Sequence, residues 1–282
     1  MRAIEDEIAD VAVEAARRAG EILQAHAGRH LKVSQTTRHD LKLEVDRMCE
    51  QAILDTITAA FPSHSILAEE SGATDATGSM GDYHWIIDPL DGTVNYYFGL
   101  PYFCTSIACY AVPDEPPAHR NLDSLGRPVV GVIYAPPTDD LFIGRAGRGA
   151  SLNGRPIRVQ DVEELGESII AMGFGKTDEF GLRMANASTL LADKVRKLRC
   201  LGAAAYDISN VACGRLSGFF EKGLRTWDIA AACIVLHEAG GVVEAEEFAP
   251  ARWQILATAP GIHDELRSTL TRAAGAGTVL TC

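Results

Sequence analysis

The sequence predicts a mixed α/β chain in two parts, an α+β half over residues 1–162 and an α/β half over residues 163–282. Three observations predict it. Two long stretches of helical periodicity open the chain; short β-rich runs with proline and Asn-Gly turns follow; beyond about residue 163, strand-like and helix-like runs alternate. With 282 residues, the chain can remove on the order of 75% of its unfolded surface from water, so it needs no disulfide or structural metal to fold.

In residues 4–23 the apolar positions Ile4, Ile8, Val11, Ala15, Ala19, Ile22 and Leu23 recur at three and four, the period of an amphipathic helix. Gly28 stops it, a polar stretch (34–40) follows, and a second helical pattern runs from 44 to 60 with Pro62 behind it. Strands are expected at 65–68, 83–87 and 102–112, giving an antiparallel-looking sheet. Residues 113–128 carry four prolines and read as an excursion between strands. Strands 129–134 and 141–143 then form a hairpin around APPTDD, and Asn153-Gly154 turns the chain into another strand. In the second half, strands are expected at 168–173, 196–200, 217–221, 241–245 and 254–258, with helices near 178–194, 204–213, 228–239 and 261–273.

A formal net charge of −12 disfavours binding to phosphate backbones and anionic membranes, so a nucleic-acid partner is not expected. An anionic substrate would then need a bound cation to attract it. The longest apolar run, residues 229–236, falls far short of the roughly 18 residues that span a bilayer, and no export signal opens the chain, which predicts a cytoplasmic protein. Seven scattered cysteines without a CxxC pair fit reduced thiols in that compartment. No histidine pair has HExxH spacing, and Gly173-Phe174-Gly175-Lys176-Thr177 lacks the leading glycine of a P-loop, with Ile at 170.

The strongest chemical signal is Trp85-Ile86-Ile87-Asp88-Pro89-Leu90-Asp91-Gly92-Thr93, an apolar strand that ends in two acids. Two carboxylates about 4 Å apart repel by roughly 4 kcal/mol at an effective dielectric of 20, and an oxygen-loving divalent cation between them removes the conflict. Gly92 permits close backbone approach, and the amides of 92 and 93 could cradle an anion. Metal plus anion reads as phosphate chemistry, whereas Asp-Pro and Asp-Gly taken singly are ordinary turn dipeptides. Two further segments end or begin with acids: Ile66-Leu67-Ala68-Glu69-Glu70-Ser71-Gly72 and Thr226-Trp227-Asp228. By themselves Glu69-Glu70 reads first as a solvated strand end, and Asp228 as a helix cap.

Together, the strand ending in A-E-E-S, the W-I-I-D-P-L-D-G-T-V-N segment and the W-D-I-A-A motif with E-A-G-G beyond it resemble the inositol monophosphatase family of metal-dependent, lithium-sensitive sugar phosphatases. The match runs in order through nearly the whole chain. It implies a layered αβαβα sandwich, with the metal site at the junction of the two halves. The resemblance implies that Glu69, Asp88 and the Leu90 carbonyl bind one Mg²⁺, that Asp88, Asp91 and Asp228 bind a second, and that Glu69 holds a weaker third. Mn²⁺ is equally acceptable to an all-oxygen site. A water oriented by Thr93 and Glu69 would attack phosphorus in line, with Asp46 fixing the direction of the Thr93 hydroxyl.

The resemblance also implies substrate contacts at Gly92, Thr93, Gly202, Ala203, Ala204, Glu221 and Asp228. Glu221 reads equally well as an exposed strand-end acid. The chain departs from the family at Leu43, where a Thr is usual, at Gln35, where a Lys is usual, and at Ser217, where an Asp is usual. The expected substrate is a small phosphorylated polyol or sugar, first inositol 1-phosphate; histidinol phosphate, fructose 1,6-bisphosphate and 3′-phosphoadenosine 5′-phosphate are the alternatives. Family members are commonly homodimers. Some bacterial relatives also serve as accessory proteins of the transcription machinery, a reading of another class.

Overall fold

The chain begins with two helices, α1 (Ile4–His26) and α2 (Glu44–Ala60), joined through a hairpin of β1 (Val33–Thr36) and β2 (Leu41–Leu43). Acids Glu5, Asp6 and Glu7 fill the first turn of α1, where they complement the helix dipole. Its buried face is largely alanine, from Ala9 to Ala19, which lets α2 approach closely. The computed structural model describes residues 3–28, 32–36, 41–74, 82–112, 121–175 and 178–273. Asp40, residues 113–120 of the proline-rich excursion, Lys176, Thr177, Cys282 and the side chain of Gln35 lie outside the described residues.

Next come β3 (Ser65–Ala68), β4 (Gly72–Thr74), β5 (Tyr83–Asp91), α3 (Thr93–Tyr97), β6 (Cys104–Ala111), β7 (Arg127–Ala135), β8 (Asp140–Arg145), β9 (Gly149–Leu152) and β10 (Arg155–Pro156). The eight strands β3 to β10 form one sheet in the order β10-β9-β8-β7-β6-β5-β3-β4. The second half supplies β11 (Ile169–Met172), α4 (Asp178–Ala192), β12 (Lys197–Arg199), α5 (Ala204–Ala212), β13 (Gly218–Leu224), α6 (Thr226–Glu238), β14 (Val242–Ala249), β15 (Arg252–Thr258) and α7 (His263–Ala273). Its five strands are ordered β12-β11-β13-β15-β14, parallel over the first three and antiparallel over the rest.

Five layers result. α1 and α2 cover one face of the large sheet, α5 and α6 fill the space between the two sheets, and α4 and α7 cover the far face of the small one. β5 shows why its sequence is apolar throughout: Trp85 and Ile87 face the α1/α2 core, while Ile86 faces the α5/α6 core. Residues 229–236 of α6 are all buried because a sheet lies on each side, which is the condition for a helix that is apolar all round. Gly131 of β7 and Gly144 of β8 make this contact possible, since a Cβ at either would strike the backbone of α6 at Ala231 or Val235.

The structure corrects the expected elements in places. The large sheet is not wholly antiparallel, because β3 pairs with β5 in parallel. The hairpin β1/β2, the short strand β4 and the helix α3 were not anticipated. The excursion ends at a 3₁₀ turn (Leu122–Leu125), and β7 begins at Arg127. The last helix opens with a 3₁₀ turn (Pro260–Ile262) that runs into α7, with Pro260 at the first position, where its missing amide hydrogen is not needed.

Candidate active site

β5 ends in Asp88-Pro89-Leu90-Asp91, and in a regular strand residues three apart face opposite sides. Here the pairing slips by one residue, with Asp88 opposite Ser106 and Asp91 opposite Cys104. The slip falls where Pro89 offers no ladder hydrogen, so a bulge replaces regular pairing. Both carboxylates therefore reach one cavity of about 270 Å³. Its wall also carries Glu69, Leu90, Gly92, Thr93, Gly202, Ala204, Glu221 and Asp228.

Each acid is fixed by the element that bears it. Glu69 directly follows β3, beside the end of β5. The Leu90 amide donates to Asp88 Oδ1 at 3.0 Å, and the Ala205 amide in the first turn of α5 donates to Asp91 Oδ2 at 2.7 Å. Asp228, at the third position of α6, accepts the Arg225 amide at 2.7 Å, so its helix cap and its place on the cavity wall coexist. Gly92 has φ +92°, and a Cβ there would sit 3.0 Å from the Tyr102 carbonyl; only glycine allows this turn from β5 into α3.

Burial pushes the Asp91 carboxyl well above the usual carboxylate range, and the charge of Asp228 pushes it further. A cation would relieve that conflict. Four carboxylates and a backbone carbonyl make an all-oxygen donor set, the chemistry that hard divalent ions such as Mg²⁺ accept. The residues therefore fit the metal. Among the described residues, no three acidic, cysteine or histidine side chains already converge as a metal-holding group; the acids line the wall.

Also on the wall, Glu221 Oε1 accepts the Gly175 amide at 3.0 Å, and its carboxylate packs where a Cβ on Gly173 would stand. Ala203 is buried behind the wall, 3.2 Å from a Cβ built on Gly92. Asp46 is also off the wall: its Oδ2 accepts the Leu43 amide at 2.7 Å, which caps α2, and its Oδ1 has no hydrogen-bond partner among the described residues. The Thr93 hydroxyl donates instead to the Leu90 carbonyl at 2.9 Å. The hydrogen bond between Asp46 and Thr93 that the resemblance implies is thus absent from this geometry. Burial raises the Asp46 carboxyl to about 7, with Glu70 and Glu69 adding to it.

Three residues of the site escaped the sequence reading. Asp207, from α5, lines the cavity at 1% exposure and accepts the Tyr102 hydroxyl at 2.6 Å. Desolvation lifts its carboxyl to about 8, opposed by the Tyr102 hydrogen bond and helped by the charge of Glu221. An acid inside AAYDISNVA, a helix otherwise without charge, was the available signal. Asn95, itself on the wall, holds the Tyr102 and Leu201 carbonyls, and Lys42 stands beside Glu69. Asn95 had a signal in its place after D-G-T; Lys42 had none, because its partner is 28 residues away.

Comparison with known proteins gives a consistent result. A model of the inositol monophosphatase family matches residues 4–275. The protein called Nus factor SuhB of Escherichia coli strain K12 is 38% identical over 237 residues, which are 83% of each chain. Inositol monophosphatase 3 of Solanum lycopersicum is 37% identical over 242 residues, 84% of this chain and 85% of that one. The crystal structure of the extragenic suppressor protein suhB from Bartonella henselae superposes with a TM-score of 0.84 at 32% identity, covering 94% of this chain and 99% of that one.

Proposed function

The chain belongs to the inositol monophosphatase family and is a phosphatase; from that premise we propose that it hydrolyses a small phosphorylated polyol, with inositol 1-phosphate the first choice. The observation that carries this reading is the single cavity whose wall bears the acids Glu69, Asp88, Asp91 and Asp228 and, besides them, Glu221. The first group suits cations that draw in a phosphate, and the second suits hydroxyl groups on the rest of the molecule.

Glu69, Asp88, Asp91, Asp228 and the Leu90 carbonyl would hold Mg²⁺ or Mn²⁺, two or three ions in all, and these supply charge stabilisation at phosphorus when bound. The remaining work falls to the chain. The amides of Gly92 and Thr93 would take up the phosphate, and Thr93, whose hydroxyl donates to the Leu90 carbonyl, would orient the attacking water together with Glu69. Glu221, fixed by the Gly175 amide, accepts from a polyol hydroxyl near Gly202 and Ala204. Asp46 acts at a distance, by capping α2.

Phosphate release from inositol 1-phosphate, histidinol phosphate, fructose 1,6-bisphosphate and 3′-phosphoadenosine 5′-phosphate, with Mg²⁺ or EDTA, tests the reading. One substrate far ahead, lost with EDTA and in Asp91→Asn, supports it; hydrolysis that survives both overturns it. The name Nus factor, borne by the E. coli relative, favours a second reading as an accessory protein of transcription. Recovery of polymerase subunits with the chain, alongside feeble turnover of all four esters, would favour that one. Self-association belongs to the same proposal and is supported by the exposed apolar run of Val94, Tyr97, Phe98 and Leu100. Among the described residues, no helix is long and apolar enough to cross a membrane.

A further inference from the structure

Lys42 lies on β2, directly before the residue that caps α2. Its ammonium is 2.6 Å from Glu70 Oε1 and 4.0 Å from Glu69 Oε1. These neighbouring acids differ in role: Glu69 is on the cavity wall and Glu70 is not. Glu70 is well buried, with its side chain 4% exposed, and its backbone amide donates to Glu50 Oε2 at 2.8 Å. The Lys42 side chain is 28% exposed, so solvent screens it only in part. Arg47 approaches the same Glu70 from the other oxygen, at 3.9 Å.

A carboxylate already facing a fixed ammonium attracts a divalent ion less than an unpaired one does, and an ion on that oxygen would stand beside a like charge. We propose that Lys42 competes with divalent cations for Glu69, and so sets how strongly the catalytic cavity takes them up. This inference rests on the metal-dependent reading above. Glu70 is the counterweight, because it draws the ammonium away from Glu69. Arg47 carries the same charge nearby and meets Glu70 Oε2 at 3.9 Å, so its variant reads the general field.

Mn²⁺ uptake by the full chain, followed by the electron paramagnetic resonance signal of the unbound ion, reads this directly without turnover. Lys42→Met should bind Mn²⁺ about fivefold or more tighter than wild type, and Glu70→Gln about threefold or more weaker. Lys42→Arg and Arg47→Gln should stay within about twofold of wild type. If Lys42→Met proves unstable, Lys42→Gln removes the same charge and carries the same test. Unchanged or weaker binding in Lys42→Met overturns the inference, and so does equal tightening in Lys42→Met and Arg47→Gln. Wild type that takes up no Mn²⁺ overturns the metal reading and this inference together; equal uptake by all variants overturns this inference alone.

Discussion

Asn95 and Leu201, 106 residues apart, are joined by a 2.7 Å hydrogen bond from Asn95 Nδ2 to the Leu201 carbonyl. The same nitrogen donates to the Tyr102 carbonyl at 2.8 Å. One amide group thus fastens the wall formed by Gly92 and Thr93 to the wall formed by Gly202 and Ala204. Two hydrogens on one nitrogen match two carbonyls, and neither a carboxylate nor an aliphatic side chain can replace them.

Asn95→Leu therefore leaves two carbonyls without their donor, at a cost of about 1–3 kcal/mol. The melting temperature should fall by about 2–10 °C. kcat/KM should fall by about 10-fold to 100-fold as the walls separate. Differential scanning fluorimetry and phosphate release check both, and wild-type values in either would remove the fastening role.

Asp91 is destabilised first by burial and next by Asp228. Asp91→Asn should therefore melt above wild type in EDTA, where no cation balances the pair. In Mg²⁺ the order should reverse, since a ligand at 100 times its Kd stabilises the native state by about 2.7 kcal/mol and the variant loses that gain. Melting curves for both proteins in both buffers decide this; the same order in each would exclude a metal at Asp91.

Asp207 has its carboxyl raised to about 8 by burial, against an ordinary value of 3.8. Between those values the folded chain holds a proton that the unfolded chain has released, so folding stability declines as pH rises from about 4 to 8 and levels off above. Asp207→Asn cannot lose that proton and accepts the Tyr102 hydroxyl just as well. In EDTA its melting temperature should gain on wild type by several degrees from pH 5 to pH 8. A constant difference over that range would place the Asp207 charge elsewhere.

Gly144→Val puts a branched side chain into the backbone of α6 at Val235. Overpacking of this kind typically costs about 1–3 kcal/mol and occasionally more, and here backbone must move. A lower melting temperature, with loss of activity because Asp228 begins the same helix, is the expected result. Gly166→Ala, where a Cβ meets only the Lys194 carbonyl at 4.0 Å and the backbone is not left-handed, should differ little and serves as the control.

Phe98 is 71% exposed and Leu100 is 55% exposed. Phe98→Glu should convert a self-associating chain to monomer without unfolding it, as read by light scattering on a sizing column with circular dichroism alongside. A wild-type chain that elutes as a monomer at micromolar concentration would remove the role given to this run.

Asp88 and Asp91 were legible as a pair of acids closing one apolar strand, whereas Glu69 after its strand and Asp228 before its helix were told from a strand end and a cap only by the resemblance. The five-layer order was implied by the resemblance, and residues 229–236 also held a local sign of it, since a helix without a polar face must be covered on both sides. What stayed hidden was pairing. Nothing local tells β5 that β3 runs parallel to it, or Lys42 that Glu70 is its partner. Asp46 is a further case, since the resemblance gave it a role toward Thr93 while local sequence did not show that its Oδ2 caps α2.

The position of α6 between the sheets bears on how the protein is made. β7 and β8, whose glycines receive it, are translated about 100 residues earlier, which at about 5–20 residues per second is some seconds of synthesis. Through that interval one face of the large sheet is apolar, wet and without its covering helix. Asp228 arrives with α6, so the cavity closes only when the last third of the chain docks. Regain of activity during refolding would time that docking, whereas sheet formation, seen by circular dichroism, would run ahead of it.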